Sequence, residues 1–393
     1  MEAKTPRPSG SPRRRSTYKE TSHDLTGESV YRQTPMDDGL RGSPSLVGRW
    51  IAKGEEPPAR IQCALRPGVQ IPLPARMSTM KVRTYDEIDP DDAFRLSFLA
   101  FGEAWNGAKV HRVRSTDRRY FDEFALYAEE GGRVLAQVVP LRFRVRLRSG
   151  VEEVGGIAGV CTHPAAWGRG YAKRLMAAAH DRFRRLDLRI STLTTSRNIR
   201  GYGLYSKLGY VDIAPFKGAV RRVSRRSPPY GYRFRVATKA DVPRIHALYR
   251  EHTQNMLGWT ERPAELLTWN FRENRDYLSK YRILLRHGKA VAYLRSRPED
   301  GVSMEEVVAP ALRDFRAALA FMEAPLRGQY ATVNWITASA DLARFRNAGY
   351  SVDGPIPDTT MAISLAKDVR TVKLPGLFGG TTGRFVQYPT DDF

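Results

Sequence analysis

Beyond about residue 80, hydrophobic positions recur with a period of two in some stretches and of about 3.6 in others, which predicts an ordered series of strands and helices. The predicted strands are 81–84, 123–128, 133–148, 151–162 and 188–193. The predicted helices run from Asp89 to about Gly102, from Tyr171 to Arg185 and from Asn198 to Leu208. Strands and helices in this order are typical of an α/β fold.

The same order of elements recurs after a linker at about 225–231. Its clearest sign is the segment 204–215, whose Gly209 and Tyr210 match Gly349 and Tyr350 in the segment 344–355. A repeat of this kind predicts an internal duplication. We therefore expect one domain over 77–225, a second over 231–366, and a C-terminal tail over 367–393.

Residues 1–76 differ from the rest in composition. They hold 10 of the 25 prolines, the run Arg13–Arg15 and no sustained hydrophobic period, which predicts a disordered basic extension. Their 13 basic and 8 acidic residues account for +5 of the net charge of +22, leaving +17 for residues 77–393. Such a charge indicates an acidic partner or a phosphate-rich ligand.

Several classes of protein are excluded. No stretch approaches the roughly 18 apolar residues that a membrane-spanning helix needs. Cys63 and Cys161 are the only cysteines, and no signal peptide is evident, so a disulfide framework is not expected. A cytoplasmic protein without membrane contact is the expectation.

The segment 159–176 carries the clearest chemical signal. A strand ends, a loop containing Gly168 and Gly170 turns, and a helix begins with Lys173 and Arg174 in its first turns. The first NH groups of a helix lack intrahelical acceptors and carry positive partial charge, and glycines let a ligand approach the backbone. This arrangement suits a pyrophosphate, although an ordinary glycine-rich connection has the same appearance.

A second segment makes the pattern specific. Asn198, Tyr205, Gly209 and Tyr210 follow the next predicted strand at the spacing Asn, six residues, Tyr, three residues, Gly, aromatic. Together with Gly170 and Ala172 they resemble the two acetyl-CoA motifs of the GCN5-related N-acetyltransferases (GNAT). The resemblance implies a mixed, mostly antiparallel sheet flanked by helices. One departure is Trp167, which stands where that family usually has Arg or Gln.

The tandem arrangement is similar to that of the Eis-type (enhanced intracellular survival) acetyltransferases, whose Val-x-Thr-His-Pro sequence matches residues 160–164. Those proteins carry a third domain, for which only about 27 residues remain here, so their substrates are not carried over. In the second repeat, residues 307–312 replace the glycine loop and Phe345 takes the place of Tyr205. We expect that repeat to bind no cofactor.

The resemblance implies a role for each matching residue. Tyr205 corresponds to the general acid that protonates the thiolate of CoA. Asn198 is expected to order the cofactor arm or to cap its helix. Cys161 is expected to be a small buried residue and not a nucleophile. The other residues expected at acetyl-CoA are Val160, Cys161, Thr162, Gly168, Arg169, Gly170, Tyr171, Ala172 and Lys173; no metal is expected.

The general base has several candidates. Glu152 and Glu153 begin the strand that leads to the loop, and Glu103 follows the first helix. The fourth candidate is the terminal carboxylate of Phe393, the group that serves this role in the Eis-type proteins. The sequence does not choose among them.

The predicted function is therefore transfer of an acetyl group from acetyl-CoA to a primary amine, on a small molecule or a peptide, by direct attack in a ternary complex. The rival is a catalytically inactive basic module that binds nucleic acid or a nucleic-acid-associated protein. It rests on Arg142, Arg144, Arg146 and Arg148, which alternate with apolar residues and so share one strand face. The sequence is compatible with a monomer and with a homo-oligomer.

Overall fold

The computed structural model describes residues 79–224, 227–263, 265–267, 279–299 and 301–388. The predicted N-terminal extension and Phe393 lie outside these residues. The described helices that we number are α1 Pro90–Phe101, α2 Gly107–Thr116, α3 Tyr171–Arg185, α4 Arg200–Lys207, α5 Val242–Thr253, α6 Leu312–Glu323, α7 Ser339–Asn347 and α8 Leu374–Leu377.

Twelve strands form one sheet. They are β1 Lys81–Thr84, β2 Leu126–Glu130, β3 Arg133–Leu147, β4 Gly150–Thr162, β5 Ile190–Ser196, β6 Val211–Arg222, β7 Tyr232–Val236, β8 Tyr281–Arg286, β9 Lys289–Glu299, β10 Gly301–Val308, β11 Tyr330–Ile336 and β12 Ser351–Ser364. All neighbouring strands are antiparallel except the parallel pairs β4–β5 and β10–β11. The predicted α/β fold with a mostly antiparallel sheet is confirmed.

The strand order has an unusual centre. It reads β1-β2-β3-β4-β5-β12-β6-β11-β10-β9-β8-β7, so β12 lies between β5 and β6, and β6 lies between β12 and β11. If each strand is replaced by the one six positions away in chain order (β1 by β7, β7 by β1, and so on) and the list is read from its other end, the same strand order results. The two halves of the sheet therefore share a topology and exchange their last strands. The domain boundaries that we expect from the sequence stay a prediction.

Helices cover both faces of the first half. On one face α1 and α2 pack with α8 through Leu96, Val110 and Leu374, and on the other α3 packs through Leu175 and Phe183. Helix α1 begins at Pro90 because the Asp89 carboxylate accepts a hydrogen bond from the NH of Asp91. These two layers hold β4 and β5 at the centre of the first half.

Two consecutive glycines let β4 pack tightly between these layers. A Cβ atom added at Gly155 would lie 2.4 Å from a ring carbon of Phe183, and one added at Gly156 would lie 2.2 Å from a ring carbon of Phe143. Since neighbouring residues of a strand face opposite sides, each glycine makes room for one aromatic ring.

Replacing Gly156 with alanine is expected to lower the free energy of unfolding by about 1–3 kcal/mol, because the buried Phe143 ring must move. Urea unfolding measures the change. Gly203→Ala is the control, since an added Cβ there meets nothing within 4 Å and alanine favours its helix. Equal stability of Gly156→Ala and the native protein would contradict this account of the packing.

Candidate acetyl-CoA site

The site is built on the carboxyl end of β4. Between Gln137 and Val139 of β3 the pairing with β4 shifts by one residue, so β4 carries a bulge at Gly159 and Val160. Gly159 has a φ of +55°, and a Cβ atom at that position would lie 3.0 Å from Val139. The bulge turns the last residues of β4, Val160–Thr162, relative to the first part of the strand.

Strands β4 and β5 separate beyond this point. They pair in parallel only at Gly155 with Ser191 and at Gly156 with Thr192, although β4 continues to Thr162 and β5 to Ser196. On its other edge β4 stays paired with β3 as far as Thr162. The end of β4 therefore presents its backbone groups to a gap between two parallel strands, where an extended ligand can take the place of a strand.

The loop that follows β4 joins this gap to helix α3. His163 Nδ1 accepts a hydrogen bond of 3.2 Å from the NH of Ala165, which begins a short 3-10 turn over Pro164–Ala166. Burial, helped by the charge of Arg133, lowers the pKa of His163, so the ring is neutral and able to accept. The hydrogen bond fixes the start of this loop.

The start of α3 offers unpaired NH groups. Gly170, with a φ of +80°, immediately precedes the helix, and the NH of Arg174 is the first to bond back, to the Gly170 carbonyl at 3.1 Å. The NH groups of Tyr171, Ala172 and Lys173 therefore have no intrahelical acceptor. Added Cβ atoms at Gly168 and Gly170 meet nothing within 4 Å, so the space before the loop is open. These features fit the pyrophosphate of acetyl-CoA.

The basic side chains of the loop and of the first turn of α3 differ in whether they already have a contact within the protein. Arg169 forms an ion pair of 2.7 Å with Glu130, and its guanidinium lies 5.0 Å from the ring centroid of Tyr171. Arg174 contacts the sulfur of Met80 at 3.8 Å, while Lys173 is exposed. Lys173 is thus the better placed of the two predicted cationic ligands, Arg169 and Lys173.

Helix α4 brings Tyr205 to the gap. The helix begins at Arg200, and Ile199 is its N-cap residue without a side-chain hydrogen bond. The alternative that Asn198 caps this helix is therefore wrong; Asn198 is exposed, two residues before the helix. Its expected contact with the cofactor arm stays a prediction.

The Tyr205 side chain is buried, and its hydroxyl is available to a ligand. The side chain is 7 % exposed and packs edge-on against Tyr210 at 6.1 Å between ring centroids. Burial, with a smaller contribution from Cys161, raises the pKa of Tyr205. Within the described ranges its hydroxyl forms no hydrogen bond. A protonated phenol without a partner, close to Cys161 on the separated part of β4, can donate a proton to a ligand.

Tyr210 links the elements that surround Tyr205 through hydrogen bonds of its hydroxyl. Its hydroxyl lies 2.8 Å from His180 Nε2 on α3 and 2.7 Å from Ser191 Oγ on β5. Burial lowers the pKa of His180 to about 4, so the imidazole is neutral. The aromatic residue of the second motif therefore links helix α3 to strand β5, a structural role that the spacing alone did not reveal.

Cys161 has the environment of an unreactive thiol. The residue is half-buried, and burial raises the pKa of the thiol to about 12. A thiol of that pKa is protonated at neutral pH and is a poor nucleophile. Cys161 is half-buried and not fully buried as expected, and its lack of nucleophilic function stays a prediction.

The structure places Glu152 at the end of β4 that is opposite the candidate site. Glu152 bonds to Ser149 and lies 3.9 Å from Arg189, at the opposite end of β4 from Thr162. Thr162 lies ten residue steps beyond Glu152 along the strand, which corresponds to roughly 33 Å. Glu153 is exposed beside it, and Glu103 accepts a hydrogen bond from Trp105 Nε1 at 2.8 Å.

The C-terminal segment, in contrast, enters the core. Residues Phe385–Tyr388 are all less than 9 % exposed. Gln387 Nε2 donates to Thr194 Oγ1 on β5 at 2.7 Å, and Gln387 Oε1 accepts from Thr360 on β12. The segment is therefore fixed beside the strand that borders the gap, five residues before Phe393.

The arginine face of β3 is exposed, as its alternation predicts, but three of its members have contacts within the protein. Arg142 donates to the Arg118 carbonyl, Arg144 pairs with Glu261 at 2.8 Å, and Arg146 lies over the Trp259 ring. Since the segment 257–261 pairs with this edge of β3, the face serves to join the two halves.

A separate cleft of about 640 Å³ lies in the second half, between α5 and the segment 259–262. It is lined by none of the predicted site residues; the lining residues include Lys239, His246 and Arg250. In the part of the chain that the structure describes, no cluster of three or more His, Cys, Asp or Glu residues could hold a metal, and no helix is long and apolar enough to span a bilayer.

Comparison with known proteins agrees with this geometry. Residues 81–212 match the sequence model of the acetyltransferase (GNAT) domain. The match runs from β1 to the start of β6 and so includes the loop, α3 and Tyr205. No curated protein sequence matches the chain significantly.

Solved structures share the fold at low sequence identity. A probable N-acyltransferase from Enterococcus faecalis V583 has 17 % identity and a TM-score of 0.57, with 73 % of each chain covered. A GCN5-related N-acetyltransferase from Kribbella flavida has 19 % identity and a TM-score of 0.54, covering 73 % of this chain and 72 % of that one. Eis1 from Mycobacterium abscessus has 15 % identity and a TM-score of 0.50, covering 73 % and 74 %.

Proposed function

We propose that this chain, whose residues 81–212 form a GNAT acetyltransferase domain, transfers an acetyl group from acetyl-CoA to a primary amine in a ternary complex. The observation that carries the proposal is the hydroxyl of the buried Tyr205 side chain, which has no hydrogen-bond partner among the described residues and lies close to Cys161 on the separated end of β4. That end lies next to a loop and a helix start that suit a pyrophosphate.

The backbone holds acetyl-CoA in this proposal. Backbone groups of Val160 and Thr162, which alternate with those of Cys161 along the strand, bind the acyl and pantetheine portions in the gap left by β5. NH groups from Gly168 to Ala172 bind the pyrophosphate, where the partial charge of the α3 start favours an anion. Asn198 orders the pantetheine arm.

The chemical step then needs two proton transfers. The neutral amine attacks the thioester carbon, a C–N bond forms and the C–S bond breaks. The departing sulfur takes the Tyr205 hydroxyl proton, and a base takes the proton lost by the amine. Because burial raises the pKa of Tyr205, its hydroxyl is protonated at neutral pH and ready to donate.

The terminal carboxylate of Phe393 is the base that we favour. Gln387 and Tyr388 are buried, and Gln387 is bonded to β5, so the chain is directed into the core close to the gap. Five further residues reach at most about 17 Å from Tyr388, and the proposal requires the carboxylate to approach the gap within that reach. Glu152 is the weaker candidate because it pairs with Arg189 at the far end of β4.

The first test is binding. Acetyl-CoA should raise the Tm of the purified protein, and a screen of amines, amino acids, aminoglycosides and peptide N-termini should reveal the acceptor through release of the CoA thiol. An unchanged Tm at millimolar acetyl-CoA would contradict the proposal. Salt-sensitive binding to nucleic acid without thiol release would favour the inactive basic module instead.

A further inference from the structure

Trp167 occupies the loop position where the related motif has Arg or Gln, and its side chain has a defined place. The indole Nε1 donates a hydrogen bond of 2.8 Å to the carbonyl of Thr162, the last residue of β4. The residue is nevertheless 54 % exposed. The indole therefore forms an exposed flat surface at the end of the gap.

Arg200 covers this surface. Its guanidinium carbon lies 4.7 Å from the centroid of the Trp167 ring, within the range of a cation–π contact. Arg200 is the first residue of α4 and follows β5, whereas Trp167 follows β4. Because the carboxyl ends of parallel strands meet at one edge of a sheet, the stacked pair spans the mouth of the gap.

The arginines near the start of α3 differ in their ion pairing. Arg169, the nearest cation in the loop sequence, is neutralised by Glu130 at 2.7 Å. Arg200 forms no ion pair with any residue in the described part of the chain. Besides the exposed Lys173 of α3, the cation available to a phosphate at the start of α3 is therefore the guanidinium of Arg200 on α4, since Arg169 is paired.

We propose that Arg200, held by its stack on Trp167, is a ligand of the CoA phosphates and supplies the positive charge that the motif position lacks. This inference rests on the proposed use of acetyl-CoA. The flat guanidinium can keep one face on the indole while its NH groups donate to phosphate oxygens in its plane. Trp167 is a positioning residue for this contact.

Isothermal titration with CoA tests the contact directly. Arg200→Ala should raise the Kd for CoA at least 10-fold, which corresponds to about 1.4 kcal/mol. Arg185→Ala is the matched control, since it removes an exposed arginine from the far end of α3 and should leave the Kd unchanged. Pantetheine, which lacks the phosphates, should bind both variants and the native protein equally.

Moving the positive charge from position 200 to position 167 gives the second test. Adding Trp167→Arg to Arg200→Ala restores a cation at the motif position and should recover most of the lost affinity for CoA. Arg200→Lys should give an intermediate Kd, because lysine keeps the charge but not the planar stack.

Three results would overturn the inference alone: a Kd for Arg200→Ala equal to that of Arg185→Ala, tighter CoA binding by Arg200→Ala, or an equal loss of affinity for pantetheine. Tighter binding would show that the stacked side chain blocks the site. If the native protein binds no CoA at all, the proposed function fails and this inference falls with it.

Discussion

Replacement of Tyr205 by phenylalanine is expected to lower kcat about 100-fold while the Kd for acetyl-CoA changes less than 2-fold. The magnitude is at the lower end of what a positioned general acid contributes. Binding should persist because the ring stays packed against Tyr210 and only a hydroxyl without a partner in the described residues is removed. Steady-state thiol release and isothermal titration measure the two quantities.

The matched control lies on the same helix. Tyr202→Phe also removes one phenolic hydroxyl from α4, but that hydroxyl donates to Asp212 at 3.2 Å and has no assigned role in the reaction. Its kcat should stay within about 3-fold of the native value. If Tyr202→Phe and Tyr205→Phe lose activity equally, or if neither does, Tyr205 is not the acid.

Deletion of Phe393 is expected to lower kcat by a factor of about 100 or more, because it moves the terminal carboxylate one residue back along the chain. The Tm should stay close to native, since the buried segment Phe385–Tyr388 is kept. Phe393→Ala tests the ring separately, because it leaves the carboxylate at the same position and should preserve most of kcat.

Addition of one residue after Phe393 also separates the role of the ring from that of the carboxylate, because the ring stays in place while the terminal carboxylate moves one residue further along the chain. We expect a loss of kcat similar to that of the deletion. Full activity of both the deletion and the extension would exclude the terminal carboxylate and return attention to Glu152, Glu153 and Glu103.

Local elements of the fold were predictable where their signals are strong. β1 and α3 have the predicted ends, since a short alternating run and a glycine before an amphipathic stretch mark them. The predicted strands 123–128 and 188–193 lie two or three residues further along, at Leu126–Glu130 and Ile190–Ser196. Helix α2 was missed because only Val110 and Val113 are buried in it.

The candidate site was predictable in part for the same reason. The loop and Tyr205 carry a local spacing that a single sequence displays. The contacts of Gln387 with Thr194 and Thr360 do not, since they join residues far apart in the chain. The apolar pair Phe385 and Val386 was the one signal that the tail is buried. Arg200 stands at a position that the motif does not specify. Its contact with Trp167 joins the segments that follow β4 and β5, which a single sequence does not place together.

The position of β12 has a consequence for how the protein is made. Ile190 of β5 pairs with Ser364 of β12, so the strand that borders the gap waits for a partner synthesised about 170 residues later. A ribosome-bound chain that ends before β12 leaves β5 with an open edge, and closing so long a loop is slow. The half that holds the candidate site can therefore complete its sheet only after translation of the second half is nearly complete, which makes the two halves one unit of synthesis.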